Sequence, residues 1–233
     1  MEYKRILAVG DIHGMYNKLI ALMEQVKFNP EEDLLIFLGD YIDRGPQSLE
    51  CLDYVMDLQQ QYPDRVVALM GNHEAMCVGY IQFYLLGSEL YMPQFDLVMV
   101  CAWLENGGTG TYNQFKLLDD DGFVRRLRWM GSLLTHYQVD NYFFCHAGIC
   151  PWYELDEQSI RDLICSRKWC YHYSGDETIV VGHTPVQTVP YPPIGKPIPR
   201  FLENNIILCD TGAFMDGGKL SCVDVRSHEY WQA

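Results

Sequence analysis

Six short apolar runs punctuate the chain: Arg5–Val9, Leu34–Leu38, Arg65–Met70, Tyr142–Cys145, Thr178–Val181 and Asn205–Cys209. Runs of this length without strict alternation are what strands covered on both faces require. Helical patterns separate the first three. Met15–Val26 places Leu19, Leu22, Met23 and Val26 on one stripe, and Pro46–Leu58 does the same with Leu49, Leu52, Val55 and Met56, after a proline suited to a first helical turn. The chain therefore begins βαβαβ. Ala75–Leu134 reads as mostly helical with an irregular turn at Asn106-Gly107-Gly108, and Asn205–Arg226 alternates strand and turn. A layered α/β fold with a mixed sheet follows. Residues 185–199 hold six of the eleven prolines and predict an exposed loop. With no internal repeat or linker, residues 1–233 are expected to form one domain.

Composition narrows the classes of function. A hydrophobic content of 48% fills a core and, with 21% charged residues, excludes long intrinsic disorder. Seventeen Lys and Arg against 31 Asp and Glu give a formal charge of −14, which argues against a sequence-independent grip on nucleic acid or on an anionic membrane. The longest apolar stretch near the middle, Leu97–Leu104, falls far short of the roughly 18–20 residues that cross a bilayer. The first residues lack an apolar leader, and a cytoplasmic location is expected. Nine cysteines occur without a Cys-x-x-Cys pair, so buried thiols are expected, neither a disulfide framework nor a zinc knuckle.

The chemistry gathers at the ends of the runs. Five of the six are followed at once by groups that bind metal or phosphate: Gly10-Asp11-Ile12-His13-Gly14, Gly39-Asp40-Tyr41-Ile42-Asp43-Arg44-Gly45, Gly71-Asn72-His73-Glu74, His146-Ala147-Gly148 and Gly182-His183-Thr184. The sixth ends in Asp210-Thr211-Gly212, expected to complete the rim without touching an ion. In open α/β sheets that edge is where sites assemble. Any one cluster is weak evidence, because a single Asp after a strand is usually a turn or a cap. Their joint occurrence, with four of the seven histidines just after β-type runs and within two residues of a Gly, is not. Carboxylate, imidazole and amide oxygen without thiolate suit Mn, Fe or Zn. The donors exceed what one ion needs, and two ions about 3.5–4 Å apart sharing a carboxylate would use them.

These blocks resemble the metallophosphoesterases of the phosphoprotein phosphatase type within the calcineurin-like superfamily, the small bacterial and phage serine/threonine phosphatases in particular. Secondary matches are Trp103-Leu104-Glu105-Asn106-Gly107-Gly108, Asp210-Thr211-Gly212-Ala213 and Gly217-Gly218-Lys219-Leu220. The resemblance implies the layered metallophosphoesterase fold, with mixed β-sheets flanked by helices and a metal site at the C-terminal ends of the strands. It implies two divalent ions, with Mn expected and Fe or Zn as alternatives. Asp11 and His13 would hold one ion, Asp40 would bridge, and Asn72, His146 and His183 would hold the other. His73 would be the general acid and Asp43 its orienting partner, while Arg44 and Arg167 would bind phosphoryl oxygens.

By that resemblance the enzyme hydrolyses phosphate monoesters by in-line attack of a metal-bridging hydroxide, as a serine/threonine phosphoprotein phosphatase. An alkoxide leaving group needs a proton, whereas a nucleotide phosphate leaves as a stable anion, so an Asp43–His73 pair favours alkyl esters. The expected substrate is a phosphorylated protein or a small phosphoester, with no nucleic acid or membrane partner; the oligomeric state is not legible. The first alternative is a symmetrical dinucleoside tetraphosphatase, which shares the metal blocks, although Asp43 and Glu74 lie on the protein-phosphatase side of that division. A non-catalytic metal-binding module leaves Arg44 without a duty, and a phosphodiesterase or nuclease would require diesters to outpace monoesters. His136, His172 and His228 fall outside the blocks and are expected to be structural or exposed. The aromatic-rich segment from Tyr80 to Trp103 is assigned no function.

Overall fold

Each of the six apolar runs becomes a strand with nearly every side chain buried, in a computed structural model that describes residues 3–85, 97–167, 169–189 and 195–233. The strands are β1 (Ile6–Val9), β2 (Leu34–Phe37), β3 (Val66–Ala68), β4 (His136–Val139), β5 (Tyr142–Cys145), β6 (Thr178–Val181), β7 (Arg200–Leu202), β8 (Ile206–Leu208), β9 (Ser221–Asp224) and β10 (Tyr230–Gln232). They form two mixed sheets, ordered β10-β9-β1-β2-β3 and β4-β5-β6-β8-β7. In each sheet three parallel strands form a continuous block, β1-β2-β3 in one and β5-β6-β8 in the other. Antiparallel strands complete each sheet.

The helices are α1 (Tyr16–Val26), α2 (Ser48–Gln61), α3 (Asn72–Tyr80), α4 (Leu97–Cys101), α5 (Thr109–Phe115), α6 (Asp120–Gly131) and α7 (Ile160–Cys165). Successive strand residues point to opposite faces. Ile6, Ala8, Leu34, Ile36 and Val67 of the first sheet therefore pack with Phe144, Val180 and Ile207 of the second. Their alternates Leu7, Val9, Leu35 and Phe37 pack with Leu19, Leu22, Leu52 and Val55 of the helices. Burial on both sides of each sheet produces the unbroken apolar runs.

Several expectations are corrected. Pro46 lies outside α2, because Gly45 N–H and Gln47 N–H donate to the His13 and Gly14 carbonyls and tie this segment to the turn after β1. The cysteines are not all buried: Cys101 is exposed and Cys150 and Cys165 are half-buried, though all nine are free thiols. The helical reading of 75–134 holds at 75–85 and 97–134, with Gly107 at φ +105° in the irregular turn; residues 86–96 lie outside the described residues. So do residues 190–194 of the proline-rich loop. His136, His172 and His228 are exposed. Among the described residues, no helix is long and apolar enough to cross a membrane.

Candidate metal centre

All five donor-bearing segments lie just beyond the C-terminal ends of parallel strands, β1, β2 and β3 in one sheet and β5 and β6 in the other. The turns are tight enough to force residues with a Cβ into left-handed backbone: His13 (φ 48°), Asp40 (54°), Asp43 (73°), Arg44 (67°) and His183 (65°). Such conformations cost of order 1–3 kcal/mol each and cluster at functional sites. Close approach leaves no room for a side chain at Gly182 unless Asp11 moves, because its Cβ would stand 2.1 Å from Asp11 Oδ1.

Asp40 is the hub. Its Oδ2 lies 3.5 Å from His13 Nε2, 4.0 Å from His73 Nε2 and 3.4 Å from His146 Nε2. Two groups of donor atoms, from His13, Asp40 and His73 and from Asp40, His146 and His183, each fall within 4.8 Å of one another, all buried. Asn72 Oδ1 is 3.1 Å and His183 Nδ1 3.2 Å from His146 Nε2. The tautomers are set by backbone acceptors: His13 Nδ1–H donates to the Ile42 carbonyl at 3.0 Å and His146 Nδ1–H to Leu38 at 2.9 Å, which turns both Nε2 atoms inward. Among the described residues, His73 Nε2 and His183 Nε2 are buried without a partner. Converging lone pairs and orphaned imidazole nitrogens are the donor set that divalent cations satisfy, so the residues present fit two such ions.

The electrostatics agree. Burial pushes the Asp40 carboxyl up, but His146, His73 and His13 outweigh it and hold Asp40 well below the usual carboxylate range. Burial alone would lower His146, yet Asp40 and Asp11 raise it to about 9, whereas burial drives His13 and His183 well below their ordinary value. Asp11 is pushed well above the usual range by burial and by the neighbouring Asp210. A cation would relieve this crowding of buried carboxylates.

The remaining expected residues divide: Asp43 and Arg44 contact the histidines of the hub, whereas Asp11 and Arg167 lie apart from it. Asp43 Oδ2 accepts from His73 Nδ1 at 2.6 Å and from Trp103 Nε1 at 2.8 Å, while its Oδ1 accepts from Thr111 Oγ1 at 2.6 Å. Asp43 thereby fixes the His73 ring with Nε2 toward Asp40. Arg44 Nη1 donates to His13 Nε2 at 2.8 Å, and its guanidinium stacks 4.3 Å from the centre of the Phe214 ring. Asp11 stands apart from both three-residue groups, because both its carboxylate oxygens accept from the His183 backbone N–H at 3.0 Å. Arg167 is exposed and donates to Thr184 Oγ1 at 2.9 Å, beside His183 but outside the cluster.

Four contributors carried no assigned role in the sequence. Glu74 Oε2 accepts from the Asp40 and Gly71 N–H groups at 2.9 and 3.0 Å, and its Oε1 accepts from Tyr41 at 2.8 Å. It thus holds two donor turns together. Trp103 and Thr111 saturate Asp43, and the Trp103 block had a signal in its Asn-Gly-Gly turn, whose Gly107 carbonyl receives the Arg44 N–H. Phe214, directly after the Asp210-Thr211-Gly212-Ala213 block, packs edge-on against His13, with ring centres 5.0 Å apart.

Two sheets that bring five donor-bearing turns to one edge define a metal-dependent phosphoesterase. The chain belongs to the calcineurin-like phosphoesterase family, whose model matches residues 4–221. It is 29% identical to the asymmetrical bis(5′-nucleosyl)-tetraphosphatase PrpE of Anoxybacillus flavithermus, over 92% of this chain and 88% of that protein. It is 48% identical to the symmetrical bis(5′-nucleosyl)-tetraphosphatase of Klebsiella pneumoniae, over 66% of this chain and 48% of that protein. The chain thus spans about half the length of this symmetrical relative. A solved structure described as a putative diadenosine tetraphosphatase superposes with a TM-score of 0.68 at 18% identity, covering 98% of this chain and 92% of that one, a likeness of fold.

Proposed function

We propose that the protein is a metal-dependent hydrolase of dinucleoside tetraphosphates. The chemistry rests on one observation: Asp40 Oδ2 is shared by two groups of buried donors, the arrangement two divalent ions need. The substrate class rests on the relatives, both of which are named for that substrate. His13, Asp40, Asn72, His146 and His183 would hold the ions, and Asp11 would join them by turning from the His183 N–H. Bound there, the ions would supply Lewis-acid neutralisation of phosphoryl charge and make water easier to deprotonate. Arg44, its guanidinium plane fixed on Phe214, receives the phosphoryl oxygens, with Arg167 at the outer edge. Asp43 holds the His73 Nδ1–H, so a proton on Nε2 faces the leaving oxygen.

That buried 2.6 Å pair favours a second reading, hydrolysis of serine or threonine phosphoesters, because an alkoxide demands the proton more than a nucleotide does. With Mn present, kcat/KM on diadenosine tetraphosphate is expected to exceed that on a phosphoserine peptide by at least about tenfold. A faster peptide overturns the proposal in favour of the second reading. Products on an ion-exchange column assign the bond cut, ADP alone for a symmetrical cut and ATP with AMP for an asymmetrical one. His73→Asn should lower kcat roughly 10²- to 10⁴-fold on the peptide and far less on the tetraphosphate or on p-nitrophenyl phosphate.

A further inference from the structure

Behind the donor turns of β5 and β6 lies a cavity of about 170 Å³ that none of the steps above uses. Its apolar wall is Trp169, Cys170, Val181, Val189 and Leu208, and its rim carries Arg167, Thr184 and Thr188. Ala147 and Gly182 also line it, and each is the chain neighbour of a metal donor, His146 and His183. The cavity therefore lies against the two turns that carry His146 and His183. The Trp169 ring is fixed there, its Nε1–H donating to the Ala147 carbonyl at 2.9 Å.

We infer that this cavity is a nucleobase subsite: it takes the ring of the nucleotide whose phosphate sits at the metal centre. This rests on the proposed tetraphosphate reading. Four features select that occupant. An apolar cavity of roughly 150 Å³ admits a benzene ring, so one of this size, open at its rim, admits a planar ring and leaves the sugar and phosphates outside. An aromatic and aliphatic wall suits a planar base, whose faces are apolar while its edge is not. At the rim Thr184 Oγ1 accepts from Arg167 and keeps its own O–H for a ring acceptor. Arg167 at the mouth supplies the positive charge that a phosphate leaving the cavity for the metal centre would meet, in a chain whose overall charge is −14.

Thr188 offers the cleanest probe, because it is exposed and, among the described residues, its hydroxyl bonds only to the nearby Pro185 carbonyl at 2.8 Å. Thr188→Phe fills the cavity, and Thr188→Val removes the hydroxyl while keeping the space. AMP and ribose 5-phosphate, which differ by the base, are titrated calorimetrically into the Mn-loaded protein. The native chain and Thr188→Val are expected to bind AMP at least about tenfold more tightly than ribose 5-phosphate, and Thr188→Phe to bind the two alike. Activity on p-nitrophenyl phosphate, which carries no base, should stay within about twofold in both variants. Equal binding of AMP and ribose 5-phosphate by the native chain overturns the inference, and so does an AMP preference that survives Thr188→Phe. The two readings fail separately. If diadenosine tetraphosphate is not hydrolysed but the AMP preference appears and vanishes as described, the subsite stands and the substrate reading falls. If the tetraphosphate is cleaved equally well by Thr188→Phe, the subsite falls and the substrate reading stands.

Discussion

Asp210 illustrates how an unliganded carboxylate taxes the fold. Its Oδ1 accepts from Gly212 N–H at 2.8 Å, but its Oδ2 is buried without a partner, and burial together with nearby Asp40 raises its pKa to about 6. The folded chain thus binds this proton more tightly than the unfolded chain, whose group titrates near 3.8. The contribution of Asp210 to the stability of the metal-free protein is fully present below the unfolded value and is lost as pH rises through about 6. Asp210→Asn keeps the Gly212 bond and cannot ionise. Its melting temperature should change less than the native one between pH 4 and 7, and should exceed it at pH 7, by scanning calorimetry of the metal-free chains. An unchanged native slope would show Asp210 to be neutral or compensated. At this scale the sequence was informative about donors and silent about their supports. Asp and His after apolar runs announce themselves, whereas the contacts from Trp103 and Thr111 to Asp43 arise from packing between α5, the turn before it and β2's loop, a pairing no local pattern encodes.

Among the elements, Glu74 in the first turn of α3 matters beyond its own helix. It accepts N–H groups from both the turn after β2 and the turn after β3, so one carboxylate spans two adjacent donor segments. Glu74→Gln keeps the shape but exchanges one acceptor oxygen for a donor amide facing an N–H. It should weaken Mn binding at least about tenfold by equilibrium dialysis while far-ultraviolet circular dichroism stays native; unchanged affinity would reduce Glu74 to a cap. The strands divide by position. The six found from apolar runs make up the parallel blocks, where both faces are covered. Those that escaped detection, β4, β7 and β10, are all edge strands, and β4 alternates exposed with half-buried residues along His136–Val139. An edge has one neighbour, and in β4, β7 and β10 the pattern is short and mixed, so no hydrophobic run betrays them, whereas β3, the remaining edge, is buried throughout and keeps its apolar run. Pro46 misled for a related reason, since tertiary bonds from Gly45 and Gln47 delay the start of α2.

For the whole molecule, β1 pairs with β2 on one side and β9 on the other, so the two ends of the chain share a sheet. We propose that residues 1–233 form one domain. Urea unfolding followed by tryptophan fluorescence and by far-ultraviolet circular dichroism should give one coincident transition. Two separated transitions would divide the chain.

The apolar layer between the sheets acquires a second duty from this architecture. Asp40 and His13 are carried by one sheet, His146 and His183 by the other, and the hub closes only when their strand ends stand level. Ile36, Phe144 and Val180 thus serve as an alignment gauge, and a slip between layers would be read at the active edge as a lost coordination distance. Methyl groups far from any phosphate set the tolerance of the chemistry.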